Sequence, residues 1–247
     1  MCGTIRVMPE SLFATLKRRF SLFLFGARNG VSLNYLSSSS HGVFSSLESL
    51  IKFESELSNK ALSYIPVAQR LYRKVVSQQP IITNTRWNSG IQLFSLLYCF
   101  TCIRKPKVIV ETGVANGIST NAIMSALRAV NSNGALYSFD VLPQTSQVYT
   151  GNGQWHFNLL PKKKTAKSLI KTVSKMSKVD IWLHDSDHGY RWQKFEYILA
   201  LRRLNRNGIL ISDDVDATPA WGELAKTHFR KSYILYDSSK FVGIAFK

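Results

Sequence analysis

Acidic residues follow two apolar, strand-like segments of this 247-residue sequence. The segment VDIWLHD at 179–185 ends in Asp185, and the segment NGILISDD at 207–214 ends in Asp213 and Asp214. If both segments are neighbouring parallel strands, these side chains meet at one edge of the sheet. Three clustered carboxylates raise each other's pKa values unless a cation neutralises them. Because oxygen ligands suit Mg²⁺ or another hard divalent ion, we predict a metal site formed by these three residues.

The residues just after Asp185 allow more than one role. We predict His188 and Asp185 as the catalytic pair, because an imidazole accepts a proton near neutral pH. Asp187 could orient His188, replace Asp185 as a metal ligand, or cap the helix that starts with YRWQ. Capping explains one acid but not acids at the ends of two strands. Metal binding and metal-free hydrogen bonding both remain open at this point.

Strands and helices alternate from about residue 107 onward. The strand-like segments are KVIVETG, GALYSFD, QWHFNLL, VDIWLHD and NGILISDD, and helical periodicity lies between most of them. This alternation predicts an α/β fold with a Rossmann-like, mostly parallel sheet and helices on both faces. The segments SYILYD and FVGIAFK, separated by a short turn, predict a hairpin whose last strand runs antiparallel.

The first of these strands ends in the turn ETGVANGIST. Gly113 and Gly117 let the backbone pass close to a ligand, and the helix that follows offers unpaired N–H groups. The turn differs from the dinucleotide-binding pattern, because Ala115 and Ile118 stand where that pattern has glycines. Asp140 ends the next strand, where a carboxylate can accept hydrogen bonds from a ribose diol.

These segments resemble a known family. VIVETGVANGIST is similar to motif I of class I S-adenosylmethionine (SAM)-dependent methyltransferases, and residues 179–215 are similar to the later motifs of their methyltransferase-24 group. That group is similar to metal-dependent O-methyltransferases of the catechol and macrolide-sugar kinds. The resemblance covers roughly residues 87–247. It implies a class I methyltransferase domain over 81–247. The composition of residues 1–80 predicts a basic, helical extension or cap before it.

The resemblance also implies roles for individual residues. Glu111 and Gly113 would shape the methionine end of the SAM site, and Asp140 would hold the ribose hydroxyls. The metal ion of such enzymes would chelate the acceptor and lower the pKa of its hydroxyl. Many members have an acid near the adenine, where this chain reads NLLPKKK and offers Asn158. The other predicted SAM-site residues are Ala115, Asn116, Gly117, Ser119 and His184. Many members of the family have glycine at the position of Ala115. For His184, a structural role is the alternative.

The composition is strongly basic, with 32 Lys and Arg against 15 Asp and Glu and a net charge of +17. Such a charge favours an anionic partner, whether nucleic acid, a membrane surface or a phosphorylated small molecule. Seven lysines lie between 162 and 178, on a predicted helix whose Leu169, Ile170 and Val173 would face the sheet. The expected substrate is a small-molecule acceptor, sugar-like or anionic. An RNA methyltransferase and a non-catalytic SAM-binding scaffold are the alternatives.

Three further patterns bear on location and substrate. Leu12, Phe13, Leu16 and Phe20 recur at helical spacing beside the basic run 17–19, which predicts an amphipathic helix that contacts a membrane or docks on the domain. Cys99 and Cys102 lie in an apolar helical run and are predicted core residues, so we expect a reducing, cytoplasmic location. The aromatic residues predicted to frame the acceptor are Trp87, Tyr190 and Trp221.

Overall fold

The computed structural model describes residues 30–54, 60–238 and 240–247. The predicted amphipathic helix around residues 12–20 lies outside these residues. The strands are β1 (Val43–Phe44), β2 (Val108–Thr112), β3 (Ala135–Asp140), β4 (Gln154–Leu159), β5 (Val179–His184), β6 (Leu204–Ser212), β7 (Lys231–Asp237) and β8 (Lys240–Phe246). The α-helices are α1 (Leu33–Ser38), α2 (Leu47–Phe53), α3 (Lys60–Gln78), α4 (Ile91–Arg104), α5 (Ile118–Ala129), α6 (Thr165–Val173), α7 (Tyr190–Arg203) and α8 (Ala220–His228).

The eight strands form one sheet in the order β1-β7-β8-β6-β5-β2-β3-β4. Strand β8 is antiparallel to both of its neighbours, and all other neighbouring pairs are parallel. The predicted mostly parallel sheet with an antiparallel C-terminal hairpin strand is therefore confirmed. Strand β1, which the sequence analysis did not predict, adds an edge to the sheet beside β7.

Helices cover both faces of the sheet, as predicted. Helices α2 to α5 contribute to the core on one face, and α1, α6, α7 and α8 contribute to the core on the other. Every residue of α4 from Leu93 to Cys102 is buried, because other helices and the sheet surround it. Cys99 and Cys102 are core residues, as predicted, and burial raises the pKa of their thiols to about 12 and about 11.

Helix α6 presents a narrower apolar face than the sequence indicated. Leu169 and Val173 are fully buried, but Ile170 is 44% exposed. The prediction that Ile170 faces the sheet is wrong, because only positions four residues apart share the inner face of this short helix. Across the described ranges, none of the helices combines the length and the apolar composition that a membrane span requires.

The C-terminal hairpin holds the start of α4. Asp237, at the end of β7, is 1% exposed, and its two carboxylate oxygens accept hydrogen bonds from the backbone N–H groups of Gln92 and Leu93 at 3.0 and 2.9 Å. The residue at the N-cap position is Gly90, which has no side chain to cap the helix. A Cβ atom at Gly90 would lie 2.3 Å from a carboxylate oxygen of Asp237. The helix is therefore capped by a side chain distant in sequence.

We expect Asp237→Ala to lower the free energy of unfolding by about 1–3 kcal/mol, because two helix N–H groups lose their acceptor inside the protein. Urea unfolding followed by circular dichroism measures this change. The control is Glu48→Ala, which removes an exposed carboxylate paired with Lys52 at 2.6 Å and should cost less than about 1 kcal/mol. Equal losses in the two variants would contradict the capping role.

Candidate functional site

The loop between β2 and α5 has an unusual backbone. Gly113, Ala115 and Gly117 have φ values of 83°, 47° and 74°, in the left-handed region. A Cβ atom at Gly113 would lie 1.9 Å from the carbonyl oxygen of Asp185, so the missing side chain lets the end of β2 contact the residue after β5. Ala115 adopts the same region with a side chain, which costs roughly 1 kcal/mol. Thus the loop after β2 and the acidic end of β5 lie directly together.

Asp140 organises this loop. One carboxylate oxygen accepts hydrogen bonds from the N–H groups of Val114 and Ala115 at 2.8 and 3.3 Å, and the other accepts one from Leu142 at 2.9 Å. A carboxylate has about four lone-pair positions, so it can accept a further bond from a ligand hydroxyl. The nearby Asn158, the candidate adenine contact, donates to the carbonyl of His156 at 3.0 Å.

Glu111 lies beneath the loop and is fully buried. Its carboxyl group accepts hydrogen bonds from the hydroxyls of Ser119, Thr120 and Ser138 at 2.7, 2.8 and 2.5 Å. Burial raises the pKa of Glu111 to about 7, although the three hydroxyls act in the opposite direction. Glu111 and Ser119 therefore support the loop from below.

Asn116 connects the loop to the segment that precedes α4. Its side-chain oxygen accepts hydrogen bonds from the N–H groups of Ile82 and Thr83 at 2.9 and 2.7 Å, and its amide donates to Asn88 at 2.8 Å. The hydroxyl of Ser89 in the same segment donates to Asp185 at 3.2 Å. The sequence analysis predicted Asn116 in the loop but missed these contacts, which close residues 82–89 over the ends of β2 and β5.

The three predicted acids do meet at one edge, and a lysine accompanies them. Lys240 Nζ lies 2.6 Å from Asp213 Oδ2 and 3.8 Å from Asp214 Oδ2. Burial raises the pKa of Asp185, and the charge of Asp213 raises it further. Burial alone would lower the pKa of Lys240, but the charges of Asp213, Asp214 and Asp185 raise it above its usual range. Lys240 is therefore protonated in this site.

His188 faces the same cluster. Its Nε2 lies 3.9 Å from Asp185 Oδ1 and 3.6 Å from Asp214 Oδ2. Burial lowers the pKa of His188, although the charge of Asp214 acts in the opposite direction. The ring is therefore neutral near pH 7. A neutral imidazole has a lone pair that can accept a proton, and Asp214 can stabilise the imidazolium that results.

His184 lies beneath the site instead of lining it. The ring is fully buried, and Nδ1 lies 2.6 Å from Glu196 Oε2. Glu196 also accepts hydrogen bonds from the hydroxyls of Thr112 and Ser186 at 2.5 and 2.9 Å. Of its two predicted roles, this placement favours the structural one over contact with SAM.

The remaining candidates divide between the surface and the core. Asp187 is exposed and accepts a hydrogen bond from the backbone N–H of Gly189 at 2.7 Å, which forms a turn just before α7. The N-cap residue of α7 is Gly189 and no side chain caps this helix, so the prediction that Asp187 caps it is wrong. Trp87 and Tyr190 are 44% and 37% exposed. Trp221 is 1% exposed, so the prediction that it frames an acceptor is wrong. Its indole fills the space left by glycine in the sheet, where a Cβ atom of Gly243 would lie 2.6 Å from the ring.

The acidic cluster with Lys240 inside it does not fit a divalent metal ion. Among the described residues, no group of three or more His, Cys, Asp and Glu side chains is placed to hold one. Lys240 occupies one oxygen of Asp213, and Ser89 donates to Asp185. The other oxygen of Asp213 is buried without a hydrogen-bond partner in the described part of the chain. As the side chains lie, a divalent ion would have to displace Lys240 from these carboxylates.

Part of the chain matches a known family. Residues 110–215 match a family described as a methyltransferase domain. The matched range contains the loop after β2, Asp140, and the acidic ends of β5 and β6. No curated protein matches the chain by sequence.

Solved structures share the fold. The methyltransferase PaMTH1 from Podospora anserina, bound to S-adenosylhomocysteine (SAH), is 13% identical, with a TM-score of 0.55 over 100% of both chains. An O-methyltransferase from Bacillus cereus in complex with SAH is 15% identical, with a TM-score of 0.50 over 81% of this chain and 97% of that chain. At these identities the likeness shows the fold. Together with the family match, it confirms the predicted resemblance to class I SAM-dependent methyltransferases.

The buried Glu111 gives the site a distinct pH dependence. Its pKa is about 7 in the folded protein and near the ordinary value of 4.5 in the unfolded chain. As pH rises between these values, the unfolded chain releases a proton that the folded protein retains. The free energy of unfolding of the wild type should therefore fall relative to that of Glu111→Gln, by up to about 1.4 kcal/mol per pH unit.

Urea unfolding of both proteins between pH 4 and 8, chosen to span this range, measures the difference. Below about pH 4.5 the carboxyl is protonated in both states, so the difference between the proteins should be constant there. A difference that is constant over the whole range would show that burial does not raise the pKa of Glu111.

Proposed function

We propose that this chain is a class I SAM-dependent methyltransferase that transfers the methyl group of SAM to a hydroxyl oxygen of a small-molecule acceptor. The main support is that the loop after β2 and the acidic end of β5 are in direct contact, through the close approach of Gly113 to Asp185, while His188 links Asp185 to Asp214 after β6. A methyl donor on the loop and an acceptor beside the acids would then be neighbours. Methyl transfer is a displacement that needs this proximity and alignment.

The donor side of the proposal rests on the backbone of the loop and on Asp140. SAM supplies an electrophilic methyl group on a sulfonium sulfur. Gly113 and Gly117 allow the left-handed backbone of the loop, and Asp140 can accept a further hydrogen bond from a ribose hydroxyl. Glu111 and Asn116 hold the loop from two sides but have their hydrogen bonds filled by protein groups. We therefore assign them to positioning the donor.

The acceptor side rests on His188 and the acids. In the transfer, the acceptor hydroxyl gives its proton to His188, its oxygen forms the new bond to the methyl carbon, and the electron pair of the broken C–S bond stays on sulfur. Asp214, 3.6 Å from His188 Nε2, stabilises the protonated ring. Trp87 and Tyr190 lie two residues from Ser89 and from His188, and both are partly exposed. They are our candidates for contact with the body of the acceptor.

The SAM site is tested by calorimetric titration with SAH. We expect the wild type to bind SAH and Asp140→Ala to bind it about 10–100-fold more weakly, because the ribose loses a hydrogen bond to a charged group and the loop loses its clamp. Asp187→Ala is the matched control, since it removes an exposed aspartate near the other side of the site. Equal affinities in Asp140→Ala and the wild type would reject Asp140 as a ligand, and no binding to any protein would reject the SAM site.

The base is tested by turnover. A screen of hydroxylated small molecules, including catechols, sugars and sugar phosphates, is read by SAH formation. With an acceptor found in this screen, His188→Ala should lower kcat by about 10²–10⁴-fold and leave SAH affinity unchanged. A kcat within a few-fold of the wild type would show that another group takes the proton. SAH formation with RNA and with none of the small molecules would favour the alternative of an RNA methyltransferase.

A further inference from the structure

We propose that Lys240 is the resident cation of the acidic site. Its ammonium group takes the position and the charge-balancing role that the resemblance assigns to a divalent ion. Methyl transfer by this protein would then need no added metal. The part of this inference that concerns turnover rests on the proposed function, whereas the part that concerns cation binding does not.

The position of Lys240 is fixed by the sheet. Lys240 is the first residue of β8, which is antiparallel to β6, and Gly243 of β8 pairs with Ser212 at the end of β6. An antiparallel strand starts where its parallel neighbours end. The first residue of β8 therefore lies at the same edge as Asp213 and Asp214, where its backbone pairs with Asp237 at the end of β7.

The contacts of Lys240 are those of a cation held inside an acidic site. Asp213 is fully buried, and its Oδ2 accepts a hydrogen bond from Lys240 Nζ at 2.6 Å. The Lys240 side chain is only 13% exposed and also lies 3.8 Å from Asp214 Oδ2. A buried carboxyl group without a partner is strongly unfavourable, and this ammonium supplies the partner of Asp213 inside the protein.

A divalent ion would have to displace this ammonium. It would bring two positive charges into a site that already contains one, at distances where like charges in a protein interior repel strongly. It would also need oxygens that are now bound to Lys240 and Ser89. The cluster therefore has the carboxylates that such an ion uses, but its cation is part of the chain.

A resident ammonium can also assist the reaction. It has three N–H donors, and Asp213 accepts one of them. Another can donate to the acceptor oxygen while that oxygen gives its proton to His188. Lys240 stays protonated throughout, and its positive charge favours the developing oxyanion. The methyl carbon and the proton move as in the proposed function, so no further reactant is needed.

Titration of the full-length protein with Mn²⁺ tests the inference without any turnover. Binding is measured from the paramagnetic resonance signal of the free ion. We expect the wild type and the surface control Lys171→Met to show no saturable site at millimolar Mn²⁺. Lys240→Met should gain one site, because the carboxylates lose their cation, and Lys240→Met/Asp213→Asn should lose that site again. Circular dichroism and thermal unfolding establish that each variant is folded.

Saturable binding to the wild type that disappears in Asp213→Asn would overturn the inference, because the carboxylates would then hold a metal beside Lys240. A folded Lys240→Met that binds no Mn²⁺ would also overturn it, since the cluster would not be a metal-type site. If Lys240→Met does not fold, the wild-type titration and its Asp213→Asn control decide the question.

Turnover provides the second readout. With an acceptor from the screen, a chelator should leave the wild-type rate within two-fold, Lys240→Met should lower kcat at least 100-fold, and Lys240→Arg, which keeps the charge, should retain more activity. Loss of wild-type activity in chelator that Mg²⁺ restores would overturn the inference. A failure to find any acceptor would count against the proposed function but would leave the Mn²⁺ result intact.

Discussion

Buried carboxyl groups at the carboxyl ends of the strands impose the main constraint on this protein. A carboxyl group removed from water needs hydrogen-bond donors or a cation, or it destabilises the fold. The partners are backbone amides for Asp140 and Asp237, hydroxyls for Glu111, an ammonium for Asp213 and, for Glu196 on the neighbouring helix α7, an imidazole. Because the partners come from other parts of the chain, satisfying these groups also fixes how the loops lie relative to one another. The geometry of the site follows from this requirement.

Much of this arrangement is predictable because it follows from short-range patterns. Alternating strands and helices indicate a parallel sheet, and a parallel sheet brings Asp185, Asp213 and Asp214 to one edge. The partner of a buried acid is much harder to predict. Lys240 is one of many lysines in a basic chain, and only the register of the last strand places it beside Asp213. The predicted antiparallel hairpin already contains this information. A last strand that runs antiparallel to β6 begins at the edge of the sheet where the acids lie. Lys240 is a site residue that was missed, whereas Trp221 was predicted as a site residue and is not one. Tryptophan is typical of binding sites, but this side chain fills a gap beside a glycine.

The segment before α4 shows what composition alone could not reveal. Residues 82–89 have no apolar periodicity, yet Asn116 binds two of their backbone N–H groups and Ser89 donates to Asp185. One amide side chain and one hydroxyl thereby connect the N-terminal part of the described chain to both halves of the candidate site. Any change in the loop that carries Asn116 is transmitted to the residues that cover the acids. The proposed donor side and the proposed acceptor side are therefore connected by hydrogen bonds through residues 82–89.

The capping of α4 by Asp237 has a consequence for how the chain folds. The bond from Gln92 to Asp237 spans 145 residues, so the start of this central helix lacks its acceptors until the hairpin docks. Contacts between residues so far apart in sequence carry a large loop-closure entropy and slow folding. We expect α4 to pack first through its apolar residues, with a frayed first turn, and to become fully ordered when β7 and β8 join the sheet. The ordering of the first turn of α4 would then report the docking of the hairpin.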